Sequence, residues 1–403
     1  MQADIEYPER FQRGGLAESL VLALAARVNT GELAITLPHG GERFFKGTQA
    51  GPGAALRVHH PRALRRILLG GTLAFAEAYM EGDCDSPDLA ALVEFVIRNE
   101  AALLTALDGQ RWTRALQRLG HLLRPNSKRG SRRNIARHYD LGNDFYALWL
   151  DPSMTYSSAV FERPGESFEA AQDNKYRRMA ELAAIGPNDR VLEVGCGWGG
   201  FCSWAAREIG CRITAVTISP AQYDFAARRL QAEGLGGQVD LRLQDYRDLD
   251  GSFDKIVSIE MLEAVGEKYW PRYFATLRDR LVPGGRAALQ VITIADDLFE
   301  TYRKDVDFIQ RYIFPGGLLP SPGRLRDQVR GAGLEWQGCE SFGLHYAHTL
   351  KIWRRAFETA WPQVRALGFD ERFRRMWRYY LAYCEAGFKT GRIDVLQAAL
   401  AKS

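Results

Sequence analysis

The sequence predicts an α/β protein whose larger part is a doubly wound, mostly parallel β-sheet with helices on both faces. Three observations predict this fold. Apolar, β-rich runs alternate with helical patterns from about residue 187 onward, a glycine-rich turn follows the first of these runs, and a different α+β region precedes them. Such alternation is typical of βαβ units, whose parallel strands are covered on both faces.

Residues 1–122 are expected to form an N-terminal α+β domain. A helical stretch from Leu16 to Val28 leads into short alternating segments, and the helical stretches PRALRRILLGG and PDLAALVEFVIRNEAALLTAL follow. Residues 123–137 are interpreted as a basic linker, because Arg124 to Arg137 include six basic residues and no acidic one. Residues 138–403 form the third predicted segment, the α/β domain.

Residues 138–403 are predicted to contain five strands in chain order, which are RVLEVG, CRITAVTIS, QVDLRLQDY, DKIVSIE and GRAALQVITI. Helical patterns such as PAQYDFAARRLQAEG and KYWPRYFATLRDRL separate them. Residues 295–321 have helical character and end in a Pro-Gly-Gly break, which suits a helical lid. The tail from residue 351 is predicted to be helical, and its aromatic and arginine residues favour helix packing over a ligand groove.

Composition excludes several classes of protein. The hydrophobic content of 46% and charged content of 25% are ordinary for a globular chain, and the net charge of +4 indicates no partner by itself. No run approaches the roughly 20 apolar residues of a membrane span, and no secretory signal begins the chain, so we expect a cytoplasmic protein. The six cysteines are scattered, which predicts reduced thiols and no metal site.

The segment VLEVGCGWGG, residues 191–200, is a buried strand that enters a glycine-rich turn. A plain strand-to-helix turn would also explain it, but the acidic Glu193 favours a nucleotide site, and no P-loop lysine is present. The next strand ends near Thr217 and Gln222, which can bond ribose hydroxyls. The third ends at Asp245 and Tyr246, an acid and a ring suited to adenine. Each alone could be ordinary loop polarity.

The sequence resembles the cyclopropane fatty acid synthase family, which includes the mycolic acid cyclopropane synthases. The matching segments are HYDLGNDFYALWLDPSMTYSSAVF, VLEVGCGWGG, VTISPAQ, LQDYRDL, YIFPGGLLPS and the FG-x-x-Y-x-x-TL of Phe342 to Leu350. They cover roughly residues 130–390 in the family's order. The resemblance implies a class I (Rossmann-like) methyltransferase fold, S-adenosylmethionine as the methyl donor, and a lipid-associated N-terminal domain.

The resemblance also implies the cofactor contacts. They are Tyr139, Tyr156 and Ser157 around the methionine end, Glu193, Gly195 and Gly197 at the loop, Thr217 and Gln222 at the ribose, and Asp245 and Tyr246 at the adenine.

The activity that the resemblance implies is methylation of a cis double bond in a membrane phospholipid. The resulting cation loses a proton to close a cyclopropane ring. In the family the base is thought to be a bicarbonate ion held by a cysteine, a glutamate, a histidine, a tyrosine and a backbone amide. The resemblance further suggests a homodimer. The basic residues 124–137 would bind the anionic inner face of the membrane, whereas a solvated linker is the simpler interpretation; no nucleic-acid-reading module accompanies them.

The chain departs from the family at this base site. Glu263, Tyr346 and the backbone of Ile292 match, but Ser158 stands in place of cysteine and Gln290 in place of histidine. Ala264 also replaces a histidine. These changes weigh against a bound bicarbonate.

Glu260 stands where the bacterial enzymes carry glycine, three residues before Glu263. A helical turn would place both carboxylates on one side. We hypothesise that Glu260 supplies the carboxylate itself, positioned by Glu263, Tyr346, Gln290 and Ser158. The alternative is that Glu260 only bonds the backbone of its loop.

Three other functions stay open at this point. The altered base site is compatible with a methyl- or methylene-branched lipid product. Small-molecule N-methyltransferases share part of the resemblance, and a non-catalytic lipid-binding descendant would keep the fold alone.

Overall fold

The computed structural model describes residues 15–104 and 141–403. These residues belong to two compact units, one N-terminal and one C-terminal. The predicted linker, residues 123–137, lies outside the described residues, and so does Tyr139.

Within residues 15–104 the N-terminal unit is an α+β fold. Its elements are α1 (Leu16–Ala25), β1 (Thr30–Thr36), β2 (Glu42–Lys46), β3 (Gln49–Val58), α2 (Pro61–Met80), β4 (Cys84–Asp85), α3 (Leu89–Arg98) and α4 (Glu100–Leu104). The strands form one sheet in the order β2-β1-β3-β4, in which β1 and β3 are parallel and the other pairs antiparallel.

A buried asparagine joins α3 to the start of β1. Asn99 Oδ1 accepts hydrogen bonds from the amides of Asn29 and Thr30 at 2.8 and 3.0 Å. Its Nδ2 donates to the carbonyl oxygens of Thr30 and Phe95, both at 2.9 Å. Because the side chain uses both its oxygen and its nitrogen, its burial is compensated.

The C-terminal unit is built around a seven-stranded sheet. Its strands are β5 (Arg190–Val194), β6 (Arg212–Thr217), β7 (Val239–Leu243), β8 (Phe253–Ile259), β9 (Leu281–Ile294), β10 (Glu335–Ser341) and β11 (Ile393–Ala401). Its α-helices are α5 (Asn143–Ala147), α6 (Phe168–Ala183), α7 (Gly200–Glu208), α8 (Pro220–Ala232), α9 (Trp270–Arg280), α10 (Asp296–Tyr302), α11 (Pro322–Gly331), α12 (Gly343–Thr359), α13 (Trp361–Ala366) and α14 (Glu371–Lys389).

The strand order is β10-β11-β9-β8-β5-β6-β7. The five strands from β9 to β7 are parallel, and β11 runs antiparallel between β9 and β10. The predicted α/β class, with its mostly parallel, doubly wound sheet, is confirmed. The structure adds β10 and β11, which the sequence did not predict.

Both faces of this sheet are buried. Leu192, Ile256 and Leu289 belong to one apolar cluster, and their chain neighbours Val191 and Val257 belong to the other. Adjacent side chains on a strand point to opposite faces, so two clusters built from neighbouring residues show that helices cover both.

The insertion after β9 contains α10 and a π-helical turn, Ile309–Ile313. In the tail, α12, α13 and α14 agree with the predicted helices, and Trp377 of α14 contacts the rings of Phe145 and Trp149 at centroid distances of 5.1 and 5.8 Å. These ring contacts favour helix packing as the role of the aromatic residues in the tail. Across residues 15–104 and 141–403, no helix is both long and apolar enough to span a bilayer.

Candidate active site

The loop after β5 folds as a tight glycine turn against β6. Gly195 and Gly197 have φ values of +84° and +54°, which glycine adopts without the steric cost of a Cβ. The amides of Gly195 and Cys196 both donate to the carbonyl oxygen of Val216, at 3.0 and 2.9 Å. The loop is therefore fixed at the carboxyl end of the sheet, where ligands of doubly wound folds bind.

Glu193, near the end of β5, carries a buried carboxylate. Burial raises its pKa to about 8, and its Oε2 has no hydrogen-bond partner among the described residues. A Cβ built on Gly197 would meet no atom of the described residues within 4 Å, so these residues leave space beside the loop. A buried carboxyl oxygen without a partner among the described residues can accept from a cationic amino group. These residues fit the amino-acid end of S-adenosylmethionine.

The predicted ribose residues lie at the end of β6. Thr217 Oγ1 donates to Gln222 Oε1 at 2.9 Å, and both side chains are buried. The amide of Gln244 donates to the carbonyl oxygen of Thr217 at 2.9 Å. The structure thus brings the ends of β6 and β7 together, as the strand order requires.

The predicted adenine residues follow β7. Arg247 Nε and Nη2 donate to Asp245 Oδ1 and Oδ2 at 2.8 and 2.7 Å. Burial raises the pKa of the Tyr246 hydroxyl to about 12. The Asp245 carboxylate is thus paired with a guanidinium, and adenine recognition by this residue stays a prediction.

A second segment is held to the glycine loop by hydrogen bonds of Trp198, Asn143 and Arg229, and the sequence analysis singled out neither Asn143 nor Arg229. Trp198 Nε1 donates to Asn143 Oδ1 at 2.8 Å, and Asn143 Nδ2 donates to the carbonyl oxygen of Ala221 at 3.0 Å. Arg229 Nη1 donates to the carbonyl oxygens of Ser153 and Trp198 at 2.6 and 3.1 Å. The chain before Tyr156 is therefore held against the predicted cofactor loop.

Two of the residues predicted at the methionine end make hydrogen bonds of their own. The Tyr156 and Tyr380 hydroxyls lie 2.7 Å apart. Ser157 Oγ accepts from Lys175 Nζ at 2.6 Å, and Lys175 also donates to Gln172 Oε1 at 2.7 Å.

Lys175 of α6 was missed by the sequence analysis. It is fully buried, and burial lowers its pKa to about 7, against the opposing effect of the negative charges of Glu260 and other carboxylates. A single lysine on a helix normally indicates a solvated face, so no sequence signal identified it.

Glu260 lies directly after β8 and is held by three donors. Its Oε1 accepts from the amide of Ser158 at 2.9 Å and from Gln290 Nε2 at 2.7 Å. Its Oε2 accepts from the Tyr346 hydroxyl at 2.6 Å. Burial raises the pKa of Glu260, and the hydrogen bonds from Tyr346, Ser158 and Gln290 oppose that rise.

The structure refines the predicted arrangement in two respects. Ser158 contacts Glu260 through its backbone amide, whereas its hydroxyl donates to the carbonyl oxygen of Ala159 at 3.0 Å. Glu260 is not part of a helical turn: its φ is +49°, and a 3-10 turn begins only at Leu262. The position of the Glu260 carboxylate therefore depends on a left-handed backbone conformation, where a helical turn was expected.

Glu263 accepts a hydrogen bond from the predicted backbone amide of Ile292 at 2.5 Å. Its Oε2 is buried with no partner in the part of the chain that the structure describes. Burial and, second, the charge of Glu260 raise the pKa of Glu263 to about 8. The two carboxyl groups are thus electrostatically coupled, and one of them is protonated at neutral pH.

Glu263→Gln is expected to reduce the pH dependence of stability. The folded carboxyl keeps its proton up to about pH 8, whereas an unfolded glutamate loses it near pH 4.3. The contribution of Glu263 to stability is therefore present at low pH and falls by at most about 1.4 kcal/mol per pH unit as pH rises between these values. In thermal unfolding, the Tm of the variant should rise relative to the Tm of the wild type as pH increases from 5 to 8. A constant difference in Tm across this range would contradict the assignment.

Comparisons with known proteins agree with this geometry. The sequence model of the family described as mycolic acid cyclopropane synthetase matches residues 126–398. The tuberculostearic acid methyltransferase UfaA1 of Mycobacterium tuberculosis is 41% identical over 356 residues, covering 86% of this chain and 83% of the relative. The cyclopropane-fatty-acyl-phospholipid synthase of Escherichia coli K12 is 36% identical over 354 residues, covering 87% and 88%.

The fold also matches solved structures. The mycolic acid cyclopropane synthase CmaA1, crystallised with SAH and CTAB, superimposes with a TM-score of 0.63 at 30% identity, covering 67% of this chain and 98% of that one. SAH is S-adenosylmethionine without its transferable methyl group, and the buried acid and glycine turn described above suit the same ligand. This chain therefore belongs to the mycolic acid cyclopropane synthetase family of S-adenosylmethionine-dependent methyltransferases.

Proposed function

We propose that this enzyme methylates a double-bond carbon of an unsaturated phospholipid acyl chain and that Glu260 removes the proton that completes the product, a cyclopropane ring. One observation carries the proposal: a carboxylate held by Ser158, Gln290 and Tyr346 stands where the family resemblance implies a bound base. The lipid substrate is proposed because the names of two relatives refer to a fatty acid and to a fatty-acyl phospholipid.

The proposed reaction balances without a further reagent. S-adenosylmethionine supplies a methyl group on a positively charged sulfur, and the π electrons of the alkene form the new carbon–carbon bond. The neighbouring carbon becomes a cation. Glu260 takes a proton from the new methyl group, and the released C–H electron pair closes the ring. The products are the cyclopropane, SAH and a proton on Glu260.

Glu260 is suited to this step by charge and by position. A raised pKa makes a carboxylate a stronger base, and three donors keep it in one place. A fixed negative charge in a partly buried site also stabilises a carbocation before its proton leaves. In this proposal Glu263 is the protonated partner, bonded to the Ile292 amide, and no bicarbonate is needed.

We also propose how the enzyme reaches its substrate. Residues 1–122 would act as a lipid-associated domain, residues 123–137 as the linker, and residues 138–403 as the catalytic domain. Basic residues between 124 and 137 would attract the enzyme to the inner face of the membrane, at about 1 kcal/mol for each residue near an anionic surface. A homodimer is proposed from the family resemblance.

A second candidate product is a methylene-branched chain, which a separate hydride donor would have to reduce to give a methyl branch. One observation favours it: the base site is altered, because the Glu260 side chain, bonded on both oxygens by Gln290 and Tyr346, takes the place of the ion that the family resemblance implies. If the cation moves to the methylated carbon before proton loss, the same base produces a methylene branch. The name of one relative, a tuberculostearic acid methyltransferase, is compatible with this candidate.

Lipid mass spectrometry tests the proposal and separates the products. The enzyme would be expressed in a bacterial host that lacks its own cyclopropane synthase, with Glu260→Gln as the matched control. A gain of one CH₂ unit with loss of the double bond is expected for the cyclopropane. Retention of a double bond indicates methylene branching, and two further hydrogens indicate methyl branching. Unchanged lipids would overturn the lipid function.

A further inference from the structure

Two buried glutamines face each other next to the proposed base. Gln290 of β9 and Gln397 of β11 are direct partners in the antiparallel register, and both are fully buried. Gln397 Nε2 donates to Gln290 Oε1 at 2.9 Å, and Gln290 Nε2 donates to Glu260 Oε1 at 2.7 Å. A chain of hydrogen bonds thus crosses from β11 through β9 to Glu260.

The two ends of a glutamine amide are chemically different, so the direction of this chain matters. The nitrogen donates and the oxygen accepts. Because Gln397 donates to the oxygen of Gln290, the nitrogen of Gln290 points at Glu260. A reversed Gln290 would present its oxygen to the carboxylate oxygen, and Glu260 would lose one of its three donors.

The two glutamines are buried polar residues within apolar stretches of β9 and β11. Both glutamine side chains are fully buried, and their chain neighbours Leu289, Val291, Leu396 and Ala398, which point to the opposite face of the sheet, are buried apolar residues. The Oε1 atom of Gln397 is buried and has no hydrogen-bond partner among the described residues. An unsatisfied polar atom in such a setting is destabilising, and an apolar side chain would avoid that cost.

We propose that Gln397 is a positioning residue whose side-chain amide fixes the orientation of Gln290 so that Gln290 donates to the Glu260 carboxylate. This inference rests on the proposed function only in naming Glu260 as the base. The charged or titratable groups that act on Glu260 are Tyr346 of α12, Lys175 of α6 and Glu263 of the following turn.

Gln397→Leu is expected to free Gln290 and weaken its bond to Glu260. Loss of a hydrogen bond to the charged form raises a carboxyl pKa. We expect the pKa of Glu260 to rise by up to about one to two units. The acid limb of the kcat profile should move to higher pH by the same amount. Gln290→Leu, which removes the donor itself, should produce the full shift, and the double variant should shift no further than Gln290→Leu alone.

The experiment measures the protonation of Glu260 without relying on turnover. Infrared pH-difference spectra of the full-length enzyme would be recorded, with the Glu260 band identified by its loss in Glu260→Gln. Leu396→Ala is the matched control, because it weakens the same strand without touching the pair. A shift in Gln397→Leu that is absent in Leu396→Ala supports the proposal. An unshifted band, an equal shift in Leu396→Ala, or additive shifts in the double variant would overturn it. If the wild type transfers no methyl group to lipid, the proposed function fails while this spectral test still stands.

Discussion

Glu260→Gln is expected to lower kcat by about 100- to 10,000-fold, the range that a positioned general base contributes. The amide keeps the size of the side chain but cannot accept a proton, and it brings no negative charge to the cation. Binding of S-adenosylmethionine should be unchanged, because the hydrogen bonds of Glu260 go to Ser158, Gln290 and Tyr346. Steady-state kinetics on phospholipid vesicles and titration calorimetry with S-adenosylmethionine measure the two quantities.

Bicarbonate provides the decisive control for this prediction. If Glu260 is the base, turnover of the wild type in bicarbonate-depleted buffer should equal turnover in buffer with added bicarbonate. Strong stimulation by bicarbonate would contradict an internal base, and so would full activity of the Glu260→Gln variant.

Gly195→Ala is expected to reduce the affinity for S-adenosylmethionine by at least about tenfold. The φ of Gly195 is +84°, and a Cβ would lie 2.8 Å from Met261 Cγ and 3.2 Å from Met261 Cβ. A left-handed alanine costs about 1–2 kcal/mol before any steric clash, and 1.4 kcal/mol corresponds to tenfold in binding. The loop must shift away from the position that its hydrogen bonds to Val216 define.

Gly210→Ala is the matched control. Gly210 has nearly the same φ, +80°, but a Cβ there would meet no atom within 4 Å in residues 15–104 and 141–403. The residue follows the C-terminal end of α7, whereas the loop precedes the N-terminal end of that helix. Both variants should lower Tm, whereas only Gly195→Ala should weaken binding in titration calorimetry. Equal affinities for the two variants would show that Gly195 has no role at the cofactor.

The strand and helix order of the catalytic domain could be predicted because its parallel strands are short apolar runs with glycine and helical patterns between them. The strands β10 and β11 could not be predicted in this way. The sequence of β11, IDVLQAALA, contains alanine, leucine and glutamine, which favour helices. It forms a strand because it completes hydrogen-bonded ladders with β9 and β10 on both sides. That stabilisation comes from segments distant in sequence.

The site residues divide in the same way. Some are marked by motifs in the local sequence, and others are identified only by contacts with segments distant in sequence. Glu260, Gln290 and Tyr346 were predicted because family motifs mark their positions, and the structure brings their side chains together. Lys175 and Gln397 carry no motif, and their importance depends on burial and on one partner each across the fold. The left-handed conformation of Glu260 was likewise invisible, since a glutamate gives no local signal for positive φ.

The backbone of Glu260 has an evolutionary consequence. A residue other than glycine at φ +49° costs about 1–2 kcal/mol, and the partly buried carboxylate with its raised pKa adds to that cost. Glycine at this position would remove both the conformational cost and the cost of the partly buried carboxylate. Selection for stability therefore favours glycine, and selection for turnover favours glutamate. In descendants of this chain that keep Ser158 and Gln290 but no longer need the reaction, position 260 should be among the first to drift.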